Sequence, residues 1–136
     1  MPESKERPDD VPQTSFAFTE MASEDPAATR KFLERVFRWN FRSVQMPQGE
    51  YLSFELPGGG RGGIRPTQPT ESPSSLSYIR VNHLDLARER VVRAGGTIVL
   101  PRVDVPGMGS FFWFKVPGGP ILACWQDAEP GSEGKG

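Results

Sequence analysis

The chain has 136 residues, 36% of them apolar and 24% charged, with a net charge of −1, which is the make-up of one globular domain. A sequence pI of about 5.9 without a basic cluster argues against nucleic acid or an anionic membrane as partner. No apolar run approaches the ~20 residues that span a bilayer, Met1 to Thr14 lacks the apolar segment of a secretory signal, and the single cysteine, Cys124, leaves no intrachain disulfide; together these predict a cytoplasmic protein.

In chain order, residues 1–14 are rich in Pro and charge and are expected to be a disordered tail. Phe16 to Met21 reads as a strand. Asp25-Pro26 is a helix start, with an acceptor side chain at the cap and Pro at the first helical position. Ala28, Phe32, Leu33, Val36 and Phe37 then fall on one helical face, the expected packing face. Phe41 to Met46, Tyr51 to Leu56 and Gly62 to Arg65 read as three further strands. The polar stretch 66–75 holds three prolines and is expected to be an extended connector. Leu76 to Val81 is a strand and Asn82 a candidate helix cap. Leu84, Ala87, Val91 and Val92 form a helical stripe that Gly95-Gly96 ends. Thr97 to Val103, Ser110 to Val116 and Ile121 to Gln126 are strands, and residues 127–136 are expected to be a second tail.

The chain repeats itself. Phe54-Glu55-Leu56-Pro57-Gly58-Gly59 returns as Phe114-Lys115-Val116-Pro117-Gly118-Gly119, an offset of 60 residues, and each copy is an apolar run closed by a turn. The helical stripes repeat at nearly the same offset. The order β-α-β-β-β thus occurs twice, in repeats 15–65 and 76–126. That implies an α+β fold in one pseudo-symmetric domain, 15–126. Neither copy buries its own sheet face, so the two are expected to pack together around a shared cup.

Four segments resemble the glyoxalase, bleomycin-resistance and extradiol-dioxygenase superfamily, the vicinal oxygen chelate fold. They are Glu24-Asp25-Pro26 with Phe37-Arg38-Trp39, Ala94-Gly95-Gly96-Thr97-Ile98-Val99, Val105-Pro106-Gly107-Met108-Gly109, and Phe114-Lys115-Val116-Pro117-Gly118-Gly119. The resemblance runs from about Phe16 to Gln126. It implies a divalent metal in the cup, held by His, Glu or Gln on the first and last strands of each repeat. Alignment places those positions at Phe18, about Gly63, Leu76 and Ala123. None carries a donor, whereas a metal needs three or four converging N, O or S ligands. No metal and no cofactor is therefore expected.

Other constellations are weak. His83, the single histidine, reads as a first-turn residue. Cys124 points away from Ala123 and reads as a small buried hydrophobe. Gly58 to Gly63 lacks the Lys-Ser/Thr of a phosphate loop and reads as a hairpin turn. Gly107-Met108-Gly109 reads either as a mobile lid or as an ordinary hairpin loop.

Strand alternation assigns the cup lining. The expected ligand pocket is Phe18, Glu20, Tyr78, Arg80, Phe112 and Trp125, with Glu20 and Arg80 as its charged groups. No catalytic residue is identified. Three functions stay open: a metal-independent binder of a planar or amphipathic small molecule, an enzyme (a lyase or isomerase with relocated ligands, or a cofactor-free catalyst with Glu20 as base), and an interaction module that kept only the fold. A homodimer is expected through the aromatics around Trp39 and Trp113.

Overall fold

The structure, a computed structural model, describes residues 15–46 and 49–129. The expected tails at 1–14 and 130–136 lie outside these residues. Chain order is β1 (Phe16–Ser23), α1 (Pro26–Phe37), β2 (Phe41–Met46), β3 (Gly49–Glu55), β4 (Arg61–Pro66), β5 (Ser74–Arg80), α2 (Leu84–Arg93), β6 (Thr97–Val105), β7 (Gly109–Lys115) and β8 (Ile121–Asp127). Among the described residues, eight strands and two helices make an α+β fold in which β-α-β-β-β occurs twice. Two compact units result: residues 18–77, and residues 78–129 with residues 15–17.

In the first unit the strand order is β1-β4-β3-β2. β1 and β4 run parallel, with Thr19 beside Gly62 and Glu20 beside Gly63. A parallel pair needs a long crossover, and α1 with its following strands supplies it. In the second unit β5-β8-β7-β6 repeats that order. β5 and β8 run parallel, with Tyr78 beside Ala123 and Arg80 beside Trp125. The duplicated turns share one hydrogen-bond pattern. Leu56 and Gly60 pair as Val116 and Pro120 do, and the Gly59 N–H bonds Leu56 as the Gly119 N–H bonds Val116. Phe54 and Phe114 each stand second from the end of the strand that enters the turn.

The helices start by different means. Asp25 caps α1, its carboxylate accepting from the Ala28 N–H at 3.1 Å, with Pro26 at the first position. At α2 the cap position belongs to His83, not Asn82, and the His83 side chain makes no capping hydrogen bond. The Leu84 N–H instead donates to Gln126 Oε1 of β8 at 2.7 Å. This meets one of the four amide donors that a helix start leaves open.

The expected packing face of α1 is corrected. Its residues Phe32, Val36 and Phe37 are 61%, 53% and 57% exposed, and none of its side chains is fully buried. A 2.7 Å hydroxyl bond joins Ser23 and Thr29, and Asp25 caps the same turn. Thr29 thus faces β1 and the ring-bearing stripe faces outward. α2 packs as expected: Leu84 and Ala87 join Val81, Phe112, Phe114 and Cys124 in one core.

Two loops differ from their expected boundaries. β8 runs to Asp127, and the Ala128 N–H bonds the Met108 carbonyl at 2.9 Å. Residues 105–109 are an ordinary tight turn, with Met108 N–H to Val105 carbonyl at 3.0 Å and Gly107 at φ +75°. Connector 66–75 is pinned by Glu71, whose carboxylate receives the Gln68 N–H at 2.9 Å and the Arg65 guanidinium at 2.8 Å.

Gly62 marks the tightest backbone approach in the first unit. A Cβ there would run into the Thr19 carbonyl oxygen and lie 2.8 Å from the Phe54 ring. Gly62→Ala should lower unfolding free energy by about 1–3 kcal/mol, the usual cost of overpacking. Urea unfolding measures this; an unchanged midpoint would refute the close approach.

Candidate functional site

Alternation divides each sheet into a helix-packed face and a second face, and the second faces carry the chemistry. In the first unit Glu20, Tyr51, Gly63 and Arg65 share that face. Glu20 accepts from Arg65 Nε at 3.0 Å, and Arg65 extends both terminal nitrogens to Glu71 at 2.8 Å. The side chains of Glu20 and Arg65 are only 13% and 16% exposed. One guanidinium thus carries two carboxylates, and its fork suits such double pairing.

Tyr51 completes this cluster. Burial first, and then the negative charge and hydrogen bond of Glu20, push its phenol well above the ordinary tyrosine range. A Cβ on Gly63 would land on the Tyr51 ring carbon and hydroxyl. The missing side chain at Gly63 is therefore the space the phenol occupies. The Glu71 carboxyl is held below its ordinary value by its hydrogen bonds from Arg65. Arg65 is held above its own, chiefly by Glu71.

The second unit has a different surface. Tyr78 is buried, and its ring meets Phe111 edge-on with centroids 5.5 Å apart. Phe111 stacks on Trp125 at 6.2 Å, and Trp113 Nε1 donates to the Tyr78 hydroxyl at 2.9 Å. Asp127 ends this row, accepting from Trp125 Nε1 at 2.8 Å and from Arg80 Nε at 2.9 Å. Gly109 makes room for Trp125, because a Cβ there would lie 2.6 Å from its ring.

The sequence-derived residues therefore divide. Phe18 and Glu20 lie on β1 of the first unit, while Tyr78, Arg80 and Trp125 lie together in the second. Phe112 is misassigned: fully buried, it sits in the core under α2. Phe111, one residue earlier, takes the place beside Tyr78, because a strand's faces alternate and the strand was read one position out. Tyr51, Arg65, Glu71, Phe111, Trp113 and Asp127 were missed. Alternation from Gly63 signals Arg65, but Glu71 and Asp127 sit in segments that composition reads as connector and tail.

The remaining candidates are structural. Cys124 is buried against α2 and its thiol is pushed up to about 12 by that burial, which disfavours the reactive thiolate. His83 stands at the start of α2. The glycines of residues 58–60 form the β3–β4 turn. The four positions aligned with the metal ligands, Phe18, Gly63, Leu76 and Ala123, do not fit a divalent ion. Ala123 is fully buried against the neighbouring strands and Gly63 is covered by Tyr51. No group of three or more His, Cys, Asp or Glu that could hold a metal occurs among the described residues.

The shifted groups set the pH dependence. The folded Tyr51 keeps its proton above the ordinary value of 10.0, so the unfolded chain binds fewer protons there. Stability then falls as pH rises beyond about 10. Tyr51→Phe should flatten that alkaline fall. The folded Glu71 ionises below its ordinary value of 4.5, so its contribution is present above that pH and lost on acidification. Glu71→Gln should flatten the acid limb. Urea unfolding from pH 3 to 11 reads both; wild-type slopes in either variant would contradict the assignment.

No protein-family model matches the chain. A protein of Mycobacterium tuberculosis named glyoxylase CFP32 is 26% identical over 116 residues, covering 80% of this chain and 44% of its own. The anthracycline biosynthesis protein DauV of a Streptomyces species is 27% identical over 126 residues, covering 81% of this chain and 46% of its own. The chain thus spans less than half the length of these curated relatives. In fold it is similar to a glyoxalase/bleomycin resistance protein/dioxygenase superfamily member from Vibrio splendidus, with a TM-score of 0.65 and 17% identity over 83% of this chain and all of that one. With β-α-β-β-β twice over, the chain has the fold of the glyoxalase, bleomycin-resistance and dioxygenase proteins and is similar in sequence to a relative named for glyoxylase.

Proposed function

We propose that the chain binds a planar or amphipathic small molecule without a metal. The observation that carries this reading is Gly63. At a position where the superfamily resemblance implies a metal ligand, this chain has no side chain, and the Tyr51 phenol fills the space. The other three aligned positions, Phe18, Leu76 and Ala123, supply no lone pairs. The row Tyr78, Phe111, Trp113 and Trp125 is aromatic, with Phe111 and Trp113 partly exposed over the buried Tyr78 and Trp125 and a polar end at Arg80 and Asp127. Apolar walls with a few placed polar groups are the usual make-up of a small-molecule site. The relative named for anthracycline biosynthesis makes a planar aromatic a reasonable first probe.

A second reading, an enzyme with Glu20 as base, is favoured by the pairing of Glu20 with Arg65, which holds a carboxylate at a partly buried position. Its weakness is that Arg65 and Tyr51 already occupy that carboxylate.

Doxorubicin titration against tryptophan fluorescence tests the binding reading, since the chain has three tryptophans. Trp113→Ala should weaken binding about tenfold, the worth of one aromatic contact. Chelator treatment should leave both affinity and Tm unchanged, because no folding free energy is tied to an ion. A chelator-induced fall in Tm that Zn²⁺ or Ni²⁺ restores would overturn the metal-free reading and favour the enzyme.

The expected homodimer is kept as a proposal with its surface moved. Trp39 packs on Phe54 at 4.8 Å and Trp113 is bonded to Tyr78, so neither ring is a free surface. The exposed Phe32, Val36 and Phe37 of α1 are the face a second copy would cover. Sedimentation should show a dimer that Phe32→Glu converts to monomer; a monomeric wild-type chain at high concentration would rule it out.

A further inference from the structure

On the opposite, helix-packed face of the second unit, α2 does not close fully on its sheet. Its first turn is held down by Gln126 and by the buried Leu84. Its last turn comes down at Gly96, where a Cβ would lie 2.7 Å from Val91 Cγ1. Between these two points the helix offers the sheet the methyl of Ala87 and, partly buried beside it, Val91. A half-open cleft of about 310 Å³ remains, walled by Ile79, Ala87, Val91, Phe114 and Cys124 among others. That volume lies at the lower end of small-molecule sites. Its apolar walls favour an apolar guest, whose binding would remove that surface from water.

The wall carries one charge. Arg90, one turn after Ala87, lines the cavity with its aliphatic stem and is itself exposed, so its charge stands on the solvent side of the wall. Among the described residues it forms no ion pair. An apolar chamber with a single cation at its edge complements a guest with an apolar body and one anionic end. We propose that this cavity binds a small carboxylate with an apolar tail, the tail between α2 and the sheet and the carboxylate on Arg90.

Decanoate is the probe, with decanol and decylamine as neutral and cationic counterparts. Calorimetric titration of the full chain should give one decanoate per chain, bound about tenfold more tightly than decanol, the worth of one charge-assisted hydrogen bond. Decylamine should bind less tightly than either. Cys124 gives a second readout, since it is the single thiol and lines the cavity. Decanoate should slow its modification by a disulfide reagent severalfold. Arg90→Gln should make decanoate bind no better than decanol. Ala87→Leu should fill the cavity and abolish binding of both; if that variant fails to fold, Val91→Phe fills the same space from the rim. Decanoate binding that survives the filling variant, leaves Cys124 unprotected, or is matched by decanol in the wild type would overturn the proposal.

Discussion

Parallel pairing between the first and last strand of each unit is the constraint on which the rest depends. Two parallel strands cannot be joined by a tight turn. Everything between β1 and β4, or between β5 and β8, is the crossover that this pairing demands. The same pairing sets the site. It puts Glu20 beside Gly63 and Tyr78 beside Ala123, the positions from which each unit's chemistry is built.

The two units use one scaffold for unlike surfaces. At equivalent places the first carries Glu20 and Tyr51 and the second Tyr78 and Phe111. In the first, charge is neutralised locally: the guanidinium of Arg65 satisfies two carboxylates, while burial and the charge of Glu20 keep the Tyr51 phenol protonated. In the second, only Asp127 and Arg80 are charged, and the rest is ring against ring. A charged, hydrogen-bonded cluster resists rearrangement because every broken bond leaves a buried group unsatisfied. An aromatic row tolerates offset and edge-on geometries of similar energy, and so adapts to a guest at lower cost.

The legible part of the fold was the part written in period and punctuation. Asp25-Pro26, the paired Pro-Gly-Gly turns and the alternating strands each report a local rule, and the elements followed them. The orientation of α1 did not follow, because hydrophobic periodicity names an apolar face without saying what covers it. Here Thr29, bonded to Ser23, faces β1 instead. Phe112 went astray by one position in a strand, where a single step exchanges the two faces. Glu71 and Asp127 were invisible for another reason. Their segments look like solvated linker and tail, and they are ordered by partners, Arg65 and Arg80, that lie in other strands. The substitution of Tyr51 for a side chain at Gly63 is a tertiary fact: nothing local to either residue announces it.

The two helix starts carry a consequence for the order of folding. α1 is capped by Asp25, three residues from the amide it serves, so its nucleus forms from the local chain alone. α2 is capped by Gln126, separated from Leu84 by 42 residues. Its first turn gains that bond only after the intervening loop has closed and β8 has docked. Closing so long a loop costs entropy before any contact repays it. The start of α1 is therefore a property of its own segment, while the start of α2 is a property of the assembled second unit.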